Sequence, residues 1–237
     1  MNLYWLEQAE SDVPAGTDWL GPGEAFRLES MRFPKRRADW LLGRWTAKRA
    51  LAACLGGPCP LSHIEIRTAP SGAPKAFFDN RPAGLDISLS HRDGIACCAL
   101  ARSPTALGCD LELIEPRSAG FVADYFTAEE QASVARAAPA GRPLLVTLLW
   151  SAKESVLKAQ GTGLREDTRS VEVTAEISPG GAWHLFLAGH SGTELYGWWR
   201  SDGRLVRTVV DGSMDPDRDL VRCLPIQIRG IGVPSAA

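Results

Sequence analysis

Residues 142–160 read RPLLVTLLWSAKESVLKAQ, and residues 35–55 read KRRADWLLGRWTAKRALAACL. Both stretches have apolar residues spaced for one face of a long helix. The first stretch ends at Gly161 and the second at Gly56, and glycine commonly follows the last residue of a helix. Each stretch therefore predicts a long helix that packs its apolar face on a core.

The two predicted helices also resemble each other in sequence. Residues 45–48 read WTAK, and residues 150–153 read WSAK. After almost the same interval, an alternating IEI at 64–66 corresponds to VEV at 171–173. A repeat of this kind indicates that the chain consists of two similar halves.

The segments around these helices are short. Shorter helices are predicted over GPGEAFRLESM, FVADYF and TAEEQASVARA, and strands over HIEIRT, KAFF, DISLS, IACCALA, ALGCDLELI, RSVEVTA, AWHLFLA, ELYGWWR, RLVRTVV and VRCLPIQI. Helices followed by strands, twice over, predict an α+β fold and argue against a doubly wound parallel sheet. We expect an N-terminal half at 1–105, a C-terminal half at 106–237 and a ligand cleft between them.

The composition of the 237-residue chain is that of an ordinary globular protein. The 26 basic and 28 acidic residues nearly cancel, so net charge favours neither nucleic-acid nor membrane-surface binding. No apolar run has the length of a transmembrane span and the N-terminus lacks a signal-peptide pattern, so we expect a cytoplasmic location. The six cysteines contain no CxxC pair, which favours reduced, mostly buried thiols over a zinc site.

The segment GCDLELIEP at 108–116 places two carboxylates, Asp110 and Glu112, two residues apart in a predicted strand. Alternation puts both side chains on the same face of the strand, where their charges repel unless a cation lies between them. Carboxylate oxygens suit Mg²⁺, which also binds phosphate oxygens. The alternative is a solvated strand face, because the pattern DxE is common by chance.

A third carboxylate, Glu154, lies on the second long helix between Lys153 and Lys158. Glu154 and Lys158 are four residues apart, so they face the same side of the helix. The residues alone leave two interpretations open. The charges belong either to a binding site or to a surface salt bridge that has no function.

Several residues of the first half are suited to contact phosphate. Ser90 and His91 end a predicted strand just before the turn signal Asp93-Gly94. Basic residues gather on or before the first long helix, namely Lys35, Arg36, Arg37, Arg44, Lys48 and Arg49. The alternatives are a turn whose side chains are satisfied locally and a solvated helix face.

Together and in this order, these segments resemble the Sfp-type family of 4′-phosphopantetheinyl transferases. The family pattern G-[IV]-D-[IV]-E corresponds to 108–112, and the pattern W-[SC]-x-K-E-[AS]-x-x-K corresponds to 150–158. Further correspondences are the elements S-x-S-H at 88–91, G-[KR]-P at 72–74, F-[ST]-x-x-E at 126–130 and G-x-G-L at 161–164. The resemblance covers roughly half of the chain.

The resemblance implies a pseudodimer of two α+β halves, each with helices packed on a mainly antiparallel sheet, and an active site at their interface. It implies that Asp110, Glu112 and Glu154 hold Mg²⁺, for which Mn²⁺ can substitute, beside the pyrophosphate of coenzyme A. It also implies Glu154 as the base for the acceptor serine and Lys158 as a catalytic group that stabilises the pyrophosphate.

The resemblance further implies contacts to coenzyme A from Ser90, His91, Arg44, Lys153, Lys158, Arg37, Gly72 and Pro74. Three residues depart from the family pattern. Cys109 replaces the usual branched residue, Arg92 stands where a serine is common, and Ala73 replaces the basic residue of G-[KR]-P. The phosphate or adenine contact implied at the last position therefore lacks its basic side chain.

The implied function is transfer of phosphopantetheine from coenzyme A to a serine of an apo acyl or peptidyl carrier protein, by a monomeric enzyme that releases 3′,5′-ADP. One alternative is a Mg²⁺-dependent hydrolase, which would cleave the same pyrophosphate with water. The other is a non-catalytic module that binds coenzyme A or carrier proteins. This last interpretation leaves Glu154 unexplained.

Overall fold

The computed structural model of the chain describes residues 3–56, 59–177, 181–212 and 226–227. Within these residues the chain forms two β-sheets, each packed against one long helix. No helix in this part of the chain is both long and apolar enough to cross a membrane. The α+β fold class expected from the sequence is confirmed.

The elements of the first half are β1 (Tyr4–Ala9), α1 (Pro22–Glu29), α2 (Pro34–Leu55), β2 (Ile64–Thr68), β3 (Pro74–Phe78), β4 (Arg81–Arg92) and β5 (Ile95–Arg102). Those of the second half are β6 (Leu107–Leu113), α3 (Ala119–Tyr125), α4 (Ala128–Arg136), α5 (Arg142–Ala159), β7 (Val171–Ala175), β8 (His184–His190), β9 (Thr193–Ser201) and β10 (Leu205–Asp211). A short strand, β11 (Ile226–Gln227), follows near the end of the chain.

The two sheets have the same topology. The first has the strand order β1-β5-β4-β3-β2 and the second β6-β10-β9-β8-β7, and all neighbours within these two runs are antiparallel. The repeat in the sequence is therefore a repeat of the whole α+β unit. β11 departs from it, because Ile226–Gln227 pairs in parallel with β1 and so extends the first sheet. The rest of the predicted VRCLPIQI strand lies outside the described residues.

The two long helices form where the apolar spacing predicts them. α2 has Pro34 in its first turn, where a missing N–H costs nothing, and it ends before Gly56, whose φ of +71° suits glycine. α2 packs Ala47, Ala50 and Leu51 on the first sheet, and α5 packs Leu148, Val156 and Leu157 on the second.

β1 is a strand that the sequence analysis missed. Its sequence, YWLEQA, lacks the alternation of a half-buried strand, because the adjacent residues Trp5 and Leu6 are both buried. Trp5 packs in the core between the two sheets, whereas Leu6 packs under α2. A strand with both faces buried does not alternate, so periodicity cannot reveal it.

A buried lysine ties the long helix of the first half to its neighbours. The ammonium group of Lys48 pairs with Glu24 of α1 and donates hydrogen bonds to the carbonyl oxygens of Trp19 (3.0 Å) and Leu61 (3.1 Å). The other carboxylate oxygen of Glu24 accepts a hydrogen bond from the N–H of Ile66 in β2, at 3.0 Å. Pairing and hydrogen bonds of this kind are what make a buried charge tolerable.

The second half repeats this arrangement. The ammonium group of Lys153 pairs with Glu130 of α4 at 2.8 Å and donates hydrogen bonds to the carbonyl oxygens of Thr168 (2.9 Å) and Val171. The other carboxylate oxygen of Glu130 accepts from the N–H of Val173 in β7, at 2.7 Å. The equivalence of the halves thus extends to the hydrogen-bond partners of single side chains.

The halves meet where β4 and β5 contact β6, and this contact is called the seam. Its core is apolar and consists of buried residues of both sheets, including Trp5, Cys97, Ala99, Leu107, Cys109, Leu111, Trp198 and Val209. Hydrogen bonds also cross it, such as that from the N–H of Cys109 to the hydroxyl oxygen of Ser88 at 2.9 Å. β6 is therefore fixed against the first sheet on one face and α5 on the other.

Candidate active site

Gly108 sets the distance between β6 and α5. A Cβ atom at Gly108 would lie 1.8 Å from the carbonyl oxygen of Ser155 and 2.6 Å from the backbone nitrogen of Ala159. Only a residue without a side chain permits this approach. The residues that follow on the same face of β6, Asp110 and Glu112, consequently lie directly against α5.

Asp110 is the most enclosed carboxylate at the seam, with 2% of the residue exposed. Its Oδ1 accepts hydrogen bonds from the hydroxyl of Ser90 at 2.8 Å and from Nζ of Lys158 at 2.7 Å. Nζ of Lys158 also donates to the carbonyl oxygen of Cys109 at 3.0 Å. The hydroxyl of β4, the carboxylate of β6 and the ammonium group of α5 thus meet at one point.

Glu112 lies on the same face of β6, as strand alternation predicts. Its Oε1 accepts a hydrogen bond from Nε1 of Trp150 at 3.1 Å, and its Oε2 lies 3.5 Å from Nε of Arg92 and 3.6 Å from Nη2 of Arg117. Burial, and then the charge of Asp110, raise the pKa of the Glu112 carboxyl, although the two arginines oppose this. The two carboxylates of β6 therefore repel each other.

Glu154 of α5 completes the cluster. Its Oε2 lies 3.5 Å from Nζ of Lys158. Burial, followed by the charge of Asp110, raises the pKa of the Glu154 carboxyl to about 7, and Glu112 adds to this while Lys158 opposes it. The structure brings Asp110, Glu112, Glu154 and Lys158 together as one electrostatic group, which is here called the carboxylate cluster.

Lys158 is the cation shared within the carboxylate cluster. Burial works against its charge, but the carboxylates of Asp110 and Glu154 outweigh burial and hold the pKa of Lys158 above its usual value. Lys158 therefore stays charged at neutral pH. A permanently charged ammonium group at this position can compensate negative charge on a bound phosphate as well as on the carboxylates.

The carboxylates do not form a complete set of metal ligands in this conformation. Among the described residues, no group of three or more His, Cys, Asp or Glu side chains could hold a metal ion. The ammonium group of Lys158 lies among these carboxylates, bonded to Asp110 and close to Glu154. The assignment of Asp110, Glu112 and Glu154 as metal ligands stays a prediction.

Two atoms of the cluster nevertheless fit a cation. Oδ2 of Asp110 and Oε2 of Glu112 are buried and have no hydrogen-bond partner within the described part of the chain, although Arg92 and Arg117 lie 3.5 Å and 3.6 Å from the Glu112 oxygen. A buried oxygen that lacks a donor needs a water molecule or an ion. Carboxylate oxygens are the hard ligands that Mg²⁺ and Mn²⁺ prefer, so the donor set suits the expected metal.

A first pocket of about 570 Å³ lies between α2 and the end of β4. It is lined by Phe33, Lys35, Arg36, Asp39, Trp40, Gly43, Arg44, Leu89, Ser90 and His91. Three residues expected to contact coenzyme A, Arg44, Ser90 and His91, thus share one pocket. Nε of Arg44 is buried and makes no hydrogen bond to a described residue, although Glu24 lies 3.6 Å away.

Arg37 does not belong to this group. Its Nη1 donates a hydrogen bond to the carbonyl oxygen of Leu28 at 2.8 Å, and Arg37 is absent from the residues that line the first pocket. The expectation that Arg37 contacts coenzyme A is therefore not supported by its position. On α2, Arg36 and Arg37 are about 100° apart, so one residue faces the pocket while the next faces α1.

A second pocket of about 470 Å³ opens beside the carboxylate cluster. Its lining combines the loop at 71–74, the inner part of β4, Lys158 and the loop at 161–165. Gly72 and Pro74, both expected at the coenzyme A site, are among these residues. Gly72 has a φ of +87°, which only glycine adopts without strain.

The prediction that Lys153 contacts coenzyme A is wrong. Lys153 is fully buried, and its ammonium group is occupied by Glu130, Thr168 and Val171. It has no surface to offer a ligand. The sequence repeat already indicated a structural role. Lys153 has an equivalent in the first half, Lys48, whereas Glu154 has none, because Arg49 occupies the corresponding position. A lysine kept in both halves serves the fold that both halves share.

Other residues at the site were not identified from the sequence. The hydroxyl oxygen of Ser88 accepts a hydrogen bond from the β6 backbone, and Trp150 donates one to Glu112. Arg117 approaches Glu112 from the loop before α3. Arg165 lines the second pocket. The contacts of Ser88, Trp150 and Arg165 join elements that are far apart in the chain, so no local pattern announces them.

The carboxylate cluster lies within a segment that matches a known family model. Residues 106–205 match the family model of the 4′-phosphopantetheinyl transferase superfamily. The matched region lies within the second half and covers 100 of the 237 residues. The comparison with curated proteins found no match to the chain.

The superfamily domain contains all four members of the carboxylate cluster, because it begins one residue before β6 and ends at the first residue of β10. The match supports phosphopantetheinyl transfer as the general activity, with coenzyme A and a carrier protein as the partners of the superfamily. Ser90 and the first pocket belong to the other half. The matched region therefore contacts Ser90 and the first pocket across the seam.

Proposed function

We propose that the chain is a magnesium-dependent holo-[carrier protein] synthase of the Sfp type, which moves 4′-phosphopantetheine from coenzyme A to a serine of an apo acyl or peptidyl carrier protein. The observation that carries this proposal is the carboxylate cluster, in which Lys158 joins Asp110 and Glu154 beside two pockets. The superfamily match over 106–205 supports the type of reaction. The enzyme acts as a monomer in the cytoplasm under this proposal.

Coenzyme A has phosphates at two places, and the protein has suitable groups at two places. The first pocket offers Lys35, Arg36, Arg44 and His91. The second pocket reaches Lys158 and the carboxylate cluster. Both pockets are lined by the same stretch of β4, since Leu89 borders each of them. One nucleotide can therefore lie along β4 with its 3′-phosphate in the first pocket and its pyrophosphate near Lys158.

Asp110, Glu112 and Glu154 would hold Mg²⁺ or Mn²⁺. Burial, and then the charges of the neighbouring carboxylates, raise the pKa values of Glu112 and Glu154, so a bound cation would be favourable here. When bound, the ion neutralises charge on the pyrophosphate. The oxygens of Asp110 and Glu112 that lack hydrogen-bond donors support this assignment.

Glu154 acts as the base. In the metal-free protein the pKa of the Glu154 carboxyl is about 7, so its carboxylate is a stronger base than an ordinary one, although a bound ion would lower this pKa. Glu154 takes the proton of the carrier serine as the serine oxygen attacks the β-phosphorus of coenzyme A. The bond from this phosphorus to the bridging oxygen breaks, and 3′,5′-ADP leaves with the electron pair while Lys158 compensates its charge.

The test incubates the protein with coenzyme A, Mg²⁺ and a panel of apo carrier proteins, and it measures intact carrier masses. We expect at least one carrier to gain a phosphopantetheine group. Glu154→Gln should abolish the gain, whereas the matched control Glu172→Gln, on the exposed face of β7, should not. Release of 3′,5′-ADP without any carrier would instead identify a hydrolase, and binding without turnover would identify a non-catalytic module.

A further inference from the structure

The charged side chains that line the second pocket all carry positive charge. Its charged lining residues are two cations, Lys158 and Arg165, and no carboxylate is among the described residues that line it. The uncharged lining combines apolar side chains, among them Ile87, Leu89 and Leu107, with the hydroxyl residues Ser71, Ser88 and Thr162. A pocket with apolar walls and only positive charge suits a ligand that combines a flat ring with an anionic group.

The charge of Lys158 is already compensated. Its ammonium group lies 2.7 Å from Oδ1 of Asp110 and 3.5 Å from Oε2 of Glu154. Arg165 has no such partner, because no carboxylate of the described chain forms an ion pair with it. Arg165 is therefore the cation of the second pocket whose charge no described carboxylate compensates.

Arg165 spans the mouth of this pocket from one half to the other. Its Nη2 donates hydrogen bonds to the carbonyl oxygen of Ser71 in the first half at 2.8 Å and to that of Gly161 in the second half at 2.9 Å. These two bonds fix the guanidinium plane. The Nε and Nη1 donors find no acceptor among the described residues, so they remain available to a ligand.

The position of Arg165 also coincides with a gap in the motif at 72–74. Ala73 stands where the pattern G-[KR]-P has a basic residue. Nη1 of Arg165 lies 3.8 Å from the place that a Cβ of Gly72 would occupy. A guanidinium group from the second half thus reaches the loop whose own basic side chain is missing.

We propose that Arg165 binds a phosphate of coenzyme A in the second pocket and supplies there the positive charge that Ala73 does not. This inference rests on the proposed function for the identity of the ligand. The chemistry recognised is a phosphate group attached to adenosine, and it belongs either to the 3′-phosphate or to the pyrophosphate. Arg165 is consequently a substrate-binding residue that comes from the segment after α5 and not from the loop at 71–74.

The experiment measures affinity by calorimetry in EDTA, so that neither metal nor turnover contributes. The ligands are coenzyme A, dephospho-coenzyme A and 3′,5′-ADP. We expect Arg165→Ala to weaken coenzyme A binding about tenfold, as the loss of a charged hydrogen bond does, and Ala73→Lys to restore most of that loss in the same chain. Arg169→Ala is the control, since Arg169 is similarly exposed but pairs with Asp167 at 2.7 Å.

Thermal melting of each variant checks that the fold is intact, which the exposed position of Arg165 leads us to expect. If Arg165 holds the 3′-phosphate, dephospho-coenzyme A should bind wild type and Arg165→Ala equally. If it holds the pyrophosphate, the variant should weaken both ligands. Equal affinity of wild type and Arg165→Ala for all three ligands overturns the inference, as does a loss that Ala73→Lys leaves unchanged. A wild-type protein that binds no coenzyme A even when Mg²⁺ replaces the EDTA overturns the proposed function itself.

Discussion

Glu154→Gln should make the metal-free protein more stable at pH 8 while it removes activity. The carboxyl of Glu154 is enclosed, with a side chain 17% exposed, and it faces Asp110 and Glu112. In the absence of a metal ion, ionised Glu154 is therefore an unfavourable charge in the folded state. Glutamine has nearly the same shape and carries no charge, so the substitution relieves this repulsion.

The pKa of Glu154 sets the size of this stabilisation and the pH range in which it appears. It rises from 4.5 to about 7 on folding, and a shift of one unit corresponds to about 1.4 kcal/mol, so ionised Glu154 costs the folded state about 3 kcal/mol. The folded state binds the proton more tightly than the unfolded state. The cost is therefore absent below pH 4.5, grows as the pH rises towards 7 and is complete above it.

The assay is urea-induced unfolding of wild type and Glu154→Gln in EDTA, at pH 5 and at pH 8. We expect the variant to exceed wild type in free energy of unfolding by about 3 kcal/mol at pH 8 and by less than about 1 kcal/mol at pH 5. Glu172→Gln on the exposed face of β7 is the control for the loss of one carboxylate.

Two results would refute the reasoning. If Glu154→Gln is as stable as wild type at pH 8, the carboxylates do not repel each other in the folded state. If the variant is more stable by the same amount at both pH values, the gain has a cause other than the ionisation of Glu154. Added Mg²⁺ should stabilise wild type and leave the variant nearly unchanged.

Three further predictions concern the seam and the helices. Asp110→Asn should abolish transfer and remove the stabilisation of the protein by Mn²⁺ in thermal melts, and retention of either would remove Asp110 from the site. Lys48→Met and Lys153→Met should each lower the free energy of unfolding by about 3–5 kcal/mol in urea, because each removes the buried ammonium group that pairs with a buried glutamate, and a neutral effect of either would contradict the equivalence of the halves. Gly108→Ala should lower the free energy of unfolding by about 1–3 kcal/mol and reduce transfer strongly, since a Cβ atom cannot fit 1.8 Å from the Ser155 carbonyl oxygen. An unchanged melting temperature would contradict this packing.

Local patterns in the sequence predicted most of the fold. The apolar spacing of residues 35–55 and 142–160 predicted α2 and α5, and the repeated WTAK and WSAK segments predicted two similar halves. β1 escaped because both of its faces are buried, so its sequence does not alternate. Nothing in the sequence indicated that Ile226–Gln227 would return to the first sheet.

The site could be predicted only where its residues share one element. Asp110 and Glu112 face the same side of β6, and Glu154 and Lys158 face the same side of α5, as their spacing requires. Contacts across the seam, such as those of Arg165, depend on how the halves pack. Lys153 was misassigned because it adjoins Glu154, the predicted catalytic residue, whereas its burial beside Glu130 depends on tertiary packing.

The central claim is that one divalent ion is shared by two carboxylates of β6 and one of α5. Electron paramagnetic resonance of Mn²⁺, titrated into the protein in the presence of coenzyme A, tests it most directly. The account predicts one tightly bound Mn²⁺ per chain and its loss in Asp110→Asn, Glu112→Gln and Glu154→Gln alike. Undiminished Mn²⁺ binding in Glu154→Gln would contradict it, because α5 would then take no part in holding the ion.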